Sequence, residues 1–184
     1  MARPARWFWR AMPITRRLRA GLLFLLATTL GAGCDLGTKS WAARTLADGA
    51  QPIAPPWLSL QLAYNRGTAF SVFRSLGDAM PLMALLALAI SIGIAVFVWR
   101  KRPDRLSAVA LGTIVAGALG NGWDRAFRAA PGGGTGVVDF IAVTLPGGYR
   151  WPTFNVADVL LAVGVGLILL ASLRKHRDTE PLAA

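Results

Sequence analysis

Histidine, cysteine and glutamate each occur once in this chain of 184 residues, at His176, Cys34 and Glu180. A single cysteine builds no intramolecular disulfide and no thiolate metal cluster. A single histidine beside the C-terminus, far from Cys34 in the first apolar segment, leaves nothing to assemble a Cys-His or Ser-His-Asp site. No G-x-x-x-x-G-K-[ST] loop is present to cradle a phosphate. Acids are scarce altogether, nine against 20 Lys and Arg. With the one glutamate in the tail, acid–base chemistry falls to aspartates.

What the chain does have is apolar length. Hydrophobic residues make up 54% of it and the mean hydropathy is +0.48, too apolar for an ordinary soluble domain. Four segments are long enough to cross a hydrocarbon core of about 30 Å. They run from Ala20 to about Trp41, from Met80 to Trp99 without a formal charge, between Arg105 and Asp124, and from about Phe154 through Asp158 to Leu173. The expected fold is an all-α polytopic membrane protein with four transmembrane helices.

The net charge of +11 raises a nucleic-acid reading that the positions of the charges oppose. Arg3, Arg6, Arg10, Arg16, Arg17 and Arg19 precede the first span, Arg100, Lys101, Arg102 and Arg105 follow the second, and Arg174, Lys175 and Arg177 follow the fourth. In a four-span topology these clusters share one side, the positive-inside pattern, with both termini cytoplasmic and no nucleic-acid partner. Two signals near the N-terminus are chance matches. Thr15-Arg16-Arg17-Leu18 resembles a twin-arginine signal, and Leu30-Gly31-Ala32-Gly33-Cys34 a lipoprotein cleavage box with its leucine one place too far from the cysteine.

Two aspartates stand at the outer edges of apolar segments, flanking one loop: Asp139 in Val137-Val138-Asp139-Phe140 and Asp158 in Phe154-Asn155-Val156-Ala157-Asp158. A carboxylate at a helix centre in a bilayer costs roughly 2.5–3.5 kcal/mol, so it is kept for chemistry or for a fixed partner. Two that face one cavity share a proton, the working part of an aspartic protease. Other polar residues sit at the same end. Asp35 and Lys39 are four apart, as are Asn121 and Arg125, each pair on one helical face. Asp124 is expected to form a satisfied polar cap with Arg125. Gly117 and Gly120, with Gly112 and Ala116, permit close helix approach. Leu58, Leu60 and Leu62 alternate with Ser59, Gln61 and Ala63 at period two, which predicts a small external sheet.

D-x-x-T-K at Asp35–Lys39, N-x-G-x-A-F at Asn65–Phe70, G-A-L-G-N-x-x-D-R at Gly117–Arg125, V-V-D-F and F-N-x-A-D occur in this order. Through them the chain resembles the lipoprotein signal peptidases, or signal peptidase II, over about residues 20 to 174. The resemblance implies an aspartic endopeptidase of the bacterial inner membrane that removes the signal peptide from diacylglyceryl-modified prolipoproteins just before the lipidated cysteine. It maps the catalytic aspartates onto Asp139 and Asp158. One would take a proton from the attacking water and the other would polarise the scissile carbonyl, with neither assigned to either role. It places Asp35, Lys39, Asn65, Gly67, Asn121, Asp124, Arg125 and Asn155 around the site, requires no metal or cofactor, and makes the sheet an external cradle for substrate on the outer face.

Asn155, three residues before Asp158, is expected to share its helical face and reach the dyad or the substrate backbone. Phe70 and Phe140 read as packing residues, Thr68 and Ser71 as turn hydroxyls, and Trp41, Trp57, Trp99, Trp123 and Trp151 as interfacial indoles. The Gly132–Gly136 stretch reads as a flexible loop longer than the family's. The expected division is a basic extension over 1–19, resting on anionic head groups, a peptidase domain over 20–173, and a disordered basic tail over 174–184. The alternative is a small transporter or scaffold with proton-relay aspartates, which would show polar or helix-breaking residues at mid-span.

Overall fold

A computed structural model describes residues 14–67 and 79–177. The arginines before residue 14, the motif residues Thr68, Ala69 and Phe70, Ser71 and Glu180 lie outside the described residues. Four long helices form: α1 (Ile14–Thr45), α2 (Met80–Lys101), α3 (Arg105–Phe127) and α4 (Val156–Arg177). Each is long and apolar enough to cross a membrane, and their large side chains, among them Leu22, Leu30, Leu85 and Leu169, face outward as they would toward lipid. The chain is a multi-pass membrane protein. Both outer helices exceed their expected bounds: α1 runs on to Thr45, and α4 continues through Arg177, into the tail read from sequence as disordered.

Local sequence sets the ends. Pro81 opens α2, where a missing N–H costs nothing. Asp104 caps α3 by accepting from Ser107 N at 3.0 Å. Helix α3 is the centre of the bundle, with half of its span buried against 17%, 11% and 11% for the others. Its small residues make this possible. A methyl group at Gly117 would stand 2.5 Å from the Ala157 carbonyl oxygen of α4, and Gly112 lies as tightly against Phe24 of α1. Between α1, α2 and α3, Phe24, Val98 and Val115 form an apolar cluster.

Three strands complete the fold: β1 (Gln51–Ala54), β2 (Leu58–Asn65) and β3 (Val137–Val143), antiparallel in the order β1-β2-β3. The strand expected over Leu58–Ala63 forms, with Leu60, Leu62 and Tyr64 packed on one apolar cluster and its register on β3 shifting between Leu60 and Ala63. Strand β3 was not anticipated, because Val137-Val138-Asp139-Phe140-Ile141-Ala142-Val143 is apolar on both sides of the aspartate and reads as the edge of a span. The sheet sits on the C-terminal end of α1, where Ala42 and Leu46 pack against Val138 and Phe140. Strands from both of the longer connections therefore meet at one end of the bundle. The stretch before β3 folds as a hydrogen-bonded turn, with Gly132, Gly133 and Gly134 all at positive φ and Ala130 N donating to Gly134 O at 3.0 Å.

Candidate active site

Side chains alternate across a strand. With Val138 and Phe140 committed to the cluster on α1, Asp139 must point the other way, toward α3 and α4. Its carboxyl is buried, 3% exposed, and it pairs in register with Ala63 of β2. Strand β3 is held at this height by Val138 N donating to Asp124 at 3.1 Å, and by Phe140 N and Ile141 N, both donating to Phe154 O.

Asp158 occupies the first turn of α4. Contrary to the expectation from sequence, Asn155 does not share its helical face but stands just before the helix and closes it reciprocally. Asp158 N donates to Asn155 Oδ1 at 3.1 Å, and Asn155 N donates to Asp158 Oδ2 at 3.0 Å. This is a capping box in which Asn and Asp replace the usual Ser/Thr and Glu. Because the box fixes its Oδ1, Asn155 turns Nδ2 outward, toward Asp139 Oδ1 at 2.7 Å and Val138 O at 3.2 Å. The cap and the bridge between the two aspartates are one side chain.

Asn121 of α3 completes the network. Its Oδ1 accepts from Lys39 Nζ at 2.8 Å and Asn155 Nδ2 at 3.1 Å, and its Nδ2 donates to Asp158 Oδ1 at 2.9 Å. An ammonium has only donors, so Lys39 dictates which way this amide faces. Asn65, at the end of β2, hydrogen-bonds Asp139 from the open side and accepts from Gly67 N at 2.9 Å. Gly67, at φ 71°, permits the turn.

Beneath the aspartates lies a charged cluster. Lys39 and Asp35 are fully buried and 2.8 Å apart; Asp124, also fully buried, is 3.5 Å from Lys39 and 2.5 Å from Arg128. Two cations and two anions balance, as removal of charge from water demands. Asp35 also accepts from Ala157 N at 2.8 Å, tying α1 to α4. Its carboxyl fills the space above Gly120, which any larger residue would occupy.

Asp124 is therefore a satisfied residue, but its partner is Arg128 and not Arg125: adjacent helical residues point about 100° apart, whereas i and i+4 align. Arg125 donates to Asn121 O at 3.1 Å, keeps Nε unpartnered, and exerts its charge on Asp158 first and Asp139 second. Burial, and then the charge of Asp158, push the Asp139 carboxyl up to about 6, opposed by the hydrogen bonds from Asn155 and Asn65.

All eight supporting residues named from sequence thus converge around the two aspartates. Arg128 was missed, although its i, i+4 relation to Asp124 is the same signal that linked Asp35 to Lys39. A second signal went unread: the chain has only three asparagines, Asn65, Asn121 and Asn155, and all are here. Phe140 packs in the core cluster, edge-on to Trp41 with ring centroids 6.4 Å apart.

Known proteins match the chain in sequence and in fold. Residues 26–174 fit the family described as signal peptidase (SPase) II. The lipoprotein signal peptidase of Clostridium novyi (strain NT) is 35% identical over 155 residues, 83% of this chain and 99% of that protein. That of Methylorubrum extorquens (strain PA1) is 37% identical over 163 residues, 85% and 86% of the two chains. Two solved bacterial membrane enzymes superpose with TM-scores of 0.70 and 0.71 at 30% and 28% identity, covering 82% and 88% of this chain and 92% and 93% of theirs.

Proposed function

The chain belongs to the signal peptidase II family, whose work is to cleave signal peptides from prolipoproteins, and we propose that it does so as an aspartic endopeptidase with Asp139 and Asp158 as the catalytic pair. The observation that carries this reading is a single residue, Asn155, which reaches both carboxyls: its backbone N donates to Asp158 Oδ2 and its Nδ2 donates to Asp139 Oδ1. Two carboxyls so joined oppose each other's ionisation, so the pair keeps a proton to higher pH than an isolated carboxyl would. Burial and the neighbouring charge raise Asp139 to about 6, and the proton belongs to the pair, with neither carboxyl assigned as acid or base.

In the reaction, one carboxylate of the pair takes a proton from a water as that water attacks the scissile carbonyl. The other, protonated, donates a hydrogen bond to the carbonyl oxygen, where negative charge develops. The proton gained by the first then passes to the leaving amine. Arg125 offsets the one negative charge the pair retains. Asn65 and Gly67, on the open side of Asp139, are positioned to meet extended substrate backbone at the end of β2. Asp35, Lys39, Asp124 and Asn121 act as positioning residues beneath.

The substrate is a diacylglyceryl-modified prolipoprotein. Support comes from an apolar groove of about 620 Å³ between α1, α2 and α3, lined at this end by Leu36, Leu119, Trp123 and Phe127. The protein lies in the bacterial inner membrane with both termini cytoplasmic. The cations of the α2–α3 connection, at the end away from Asp139, favour that orientation. A proton-relay transporter gains no support, since Asp35, Asp124, Asp139 and Asp158 gather at one end and no carboxylate of α2 links it to the other.

The test is cleavage of a prolipoprotein with and without its diacylglyceryl group by the purified protein in detergent. Turnover of the lipidated substrate alone supports the assignment; equal turnover of both would remove the lipid requirement, and no turnover by folded protein would remove the activity.

A further inference from the structure

A second site lies at the other end of the bundle. Arg19 of α1, Arg102 after α2 and Arg105 at the start of α3 line one cavity of about 630 Å³, within the range of small-ligand sites. None of the three has an ion-pair partner among the described residues. The one carboxylate in the wall, Asp104, is taken up by Ser107, whose N and Oγ lie 3.0 and 2.7 Å from it. Three guanidiniums against one carboxylate leave the cavity with a surplus of positive charge and a complement of unused forked donors, suited to phosphate.

Arg102 also belongs to a second cavity. This one, about 500 Å³, is a groove between α1 and α2 walled by Leu18, Leu22, Leu25, Val98 and Trp99. Trp99 is 74% exposed and leans over Gly21, whose missing side chain leaves the floor open. A basic chamber opening through one arginine onto an apolar groove is the complement of a molecule with an anionic head and a hydrocarbon tail.

Arg102 itself holds a costly conformation. It ends α2 at φ 52°, ψ 62°, the left-handed cap that glycine ordinarily supplies. A side chain there is strained, and the fold would be better served by glycine. What glycine would lack is the guanidinium common to both cavities.

We propose that this double cavity is a binding site for an anionic phospholipid, its phosphate held by Arg19, Arg102 and Arg105 and one acyl chain laid along α1 and α2. Arg19 lies 20 residues along α1 from Lys39 and Arg105 16 along α3 from Asn121, about 24–30 Å of helix, so the site's occupancy is separable from peptide cleavage.

The full-length protein, exchanged into detergent with equal amounts of phosphatidylglycerol and phosphatidylcholine, would be measured by native mass spectrometry for retained lipid. The expected result is one tightly held phosphatidylglycerol, with retention falling about fivefold in Arg102→Gly while thermal stability holds or rises. Arg105→Gln should lose retention likewise, and Arg174→Gln, a cation outside the cavity, should not. Equal retention of phosphatidylcholine, displacement of the lipid by millimolar inorganic phosphate, unchanged retention in Arg102→Gly, or an equal loss in Arg174→Gln would each overturn the proposal.

Discussion

Asn155 and Asp158 hold each other's backbone, Asn155 Oδ1 accepting from Asp158 N at 3.1 Å and Asp158 Oδ2 accepting from Asn155 N at 3.0 Å. This reciprocity starts α4 and at the same moment aims Asn155 Nδ2 at Asp139, 2.7 Å away. Helix capping and catalytic geometry are therefore one event, and a change in either residue disturbs both.

Asn155→Ala removes a cap, worth about 1 kcal/mol of stability, and a hydrogen bond to a carboxyl group, worth about 1.5–3 kcal/mol. The expected fall in kcat is about 10- to 100-fold with a modest loss in Tm. Asn155→Asp keeps the cap but sets a third carboxylate between two others, and its activity should be no better than that of the alanine variant. Steady-state kinetics beside thermal melts of both variants check this.

Lys39 stands between Asp35 and Asp124, and all three are fully buried. Lys39→Met should destabilise the protein by about 3–5 kcal/mol, the cost of stranding buried charge. Adding Asp35→Asn to that variant removes one of the two stranded carboxylates, and part of the loss should return. A double variant no more stable than the single one would mean the cluster is not coupled in this way.

Gly120→Ala puts a methyl group where the Asp35 carboxyl lies. The aspartate must move, disturbing its ion pair with Lys39 and its bond to Ala157 N. The expected cost is about 1–3 kcal/mol, read as a lower midpoint in thermal denaturation.

The pH dependence follows from Asp139. Its carboxyl binds its proton more tightly folded, at about 6, than unfolded, at the ordinary 3.8. The stabilisation this gives is full below about 3.8 and is lost as pH rises through 6. Asp139→Asn never ionises, so it should be more stable than wild type at pH 8, by on the order of 2–3 kcal/mol, with the gap about halved at pH 5 and closed only below about 3.8. Melting curves of both proteins at the two pH values decide the matter.

The helices were legible because their apolar length is unbroken: Met80–Trp99 carries no charge at all, and caps such as Asp104 mark where spans begin. The alternation from Leu58 to Ala63 made β2 legible as well. Strand β3 was not, since both of its faces are buried, one against α1 and one toward the aspartates, and a strand buried on both sides loses its period-two signature. The site residues were found through motifs whose order survives in sequence. Their pairing was harder to read. Asp124 pairs with Arg128 and not with Arg125, because a helix brings together residues four apart, and the capping role of Asn155 depends on α4 starting at Val156, a boundary placed two residues early from sequence.

The most direct test of the catalytic pair is single-turnover cleavage of a diacylglyceryl-modified prolipoprotein by wild type, Asp139→Asn and Asp158→Asn, each verified as folded. Both substitutions are nearly isosteric, and the account predicts cleavage by wild type and none above background by either variant. Turnover at a rate near that of wild type in either folded variant would contradict it.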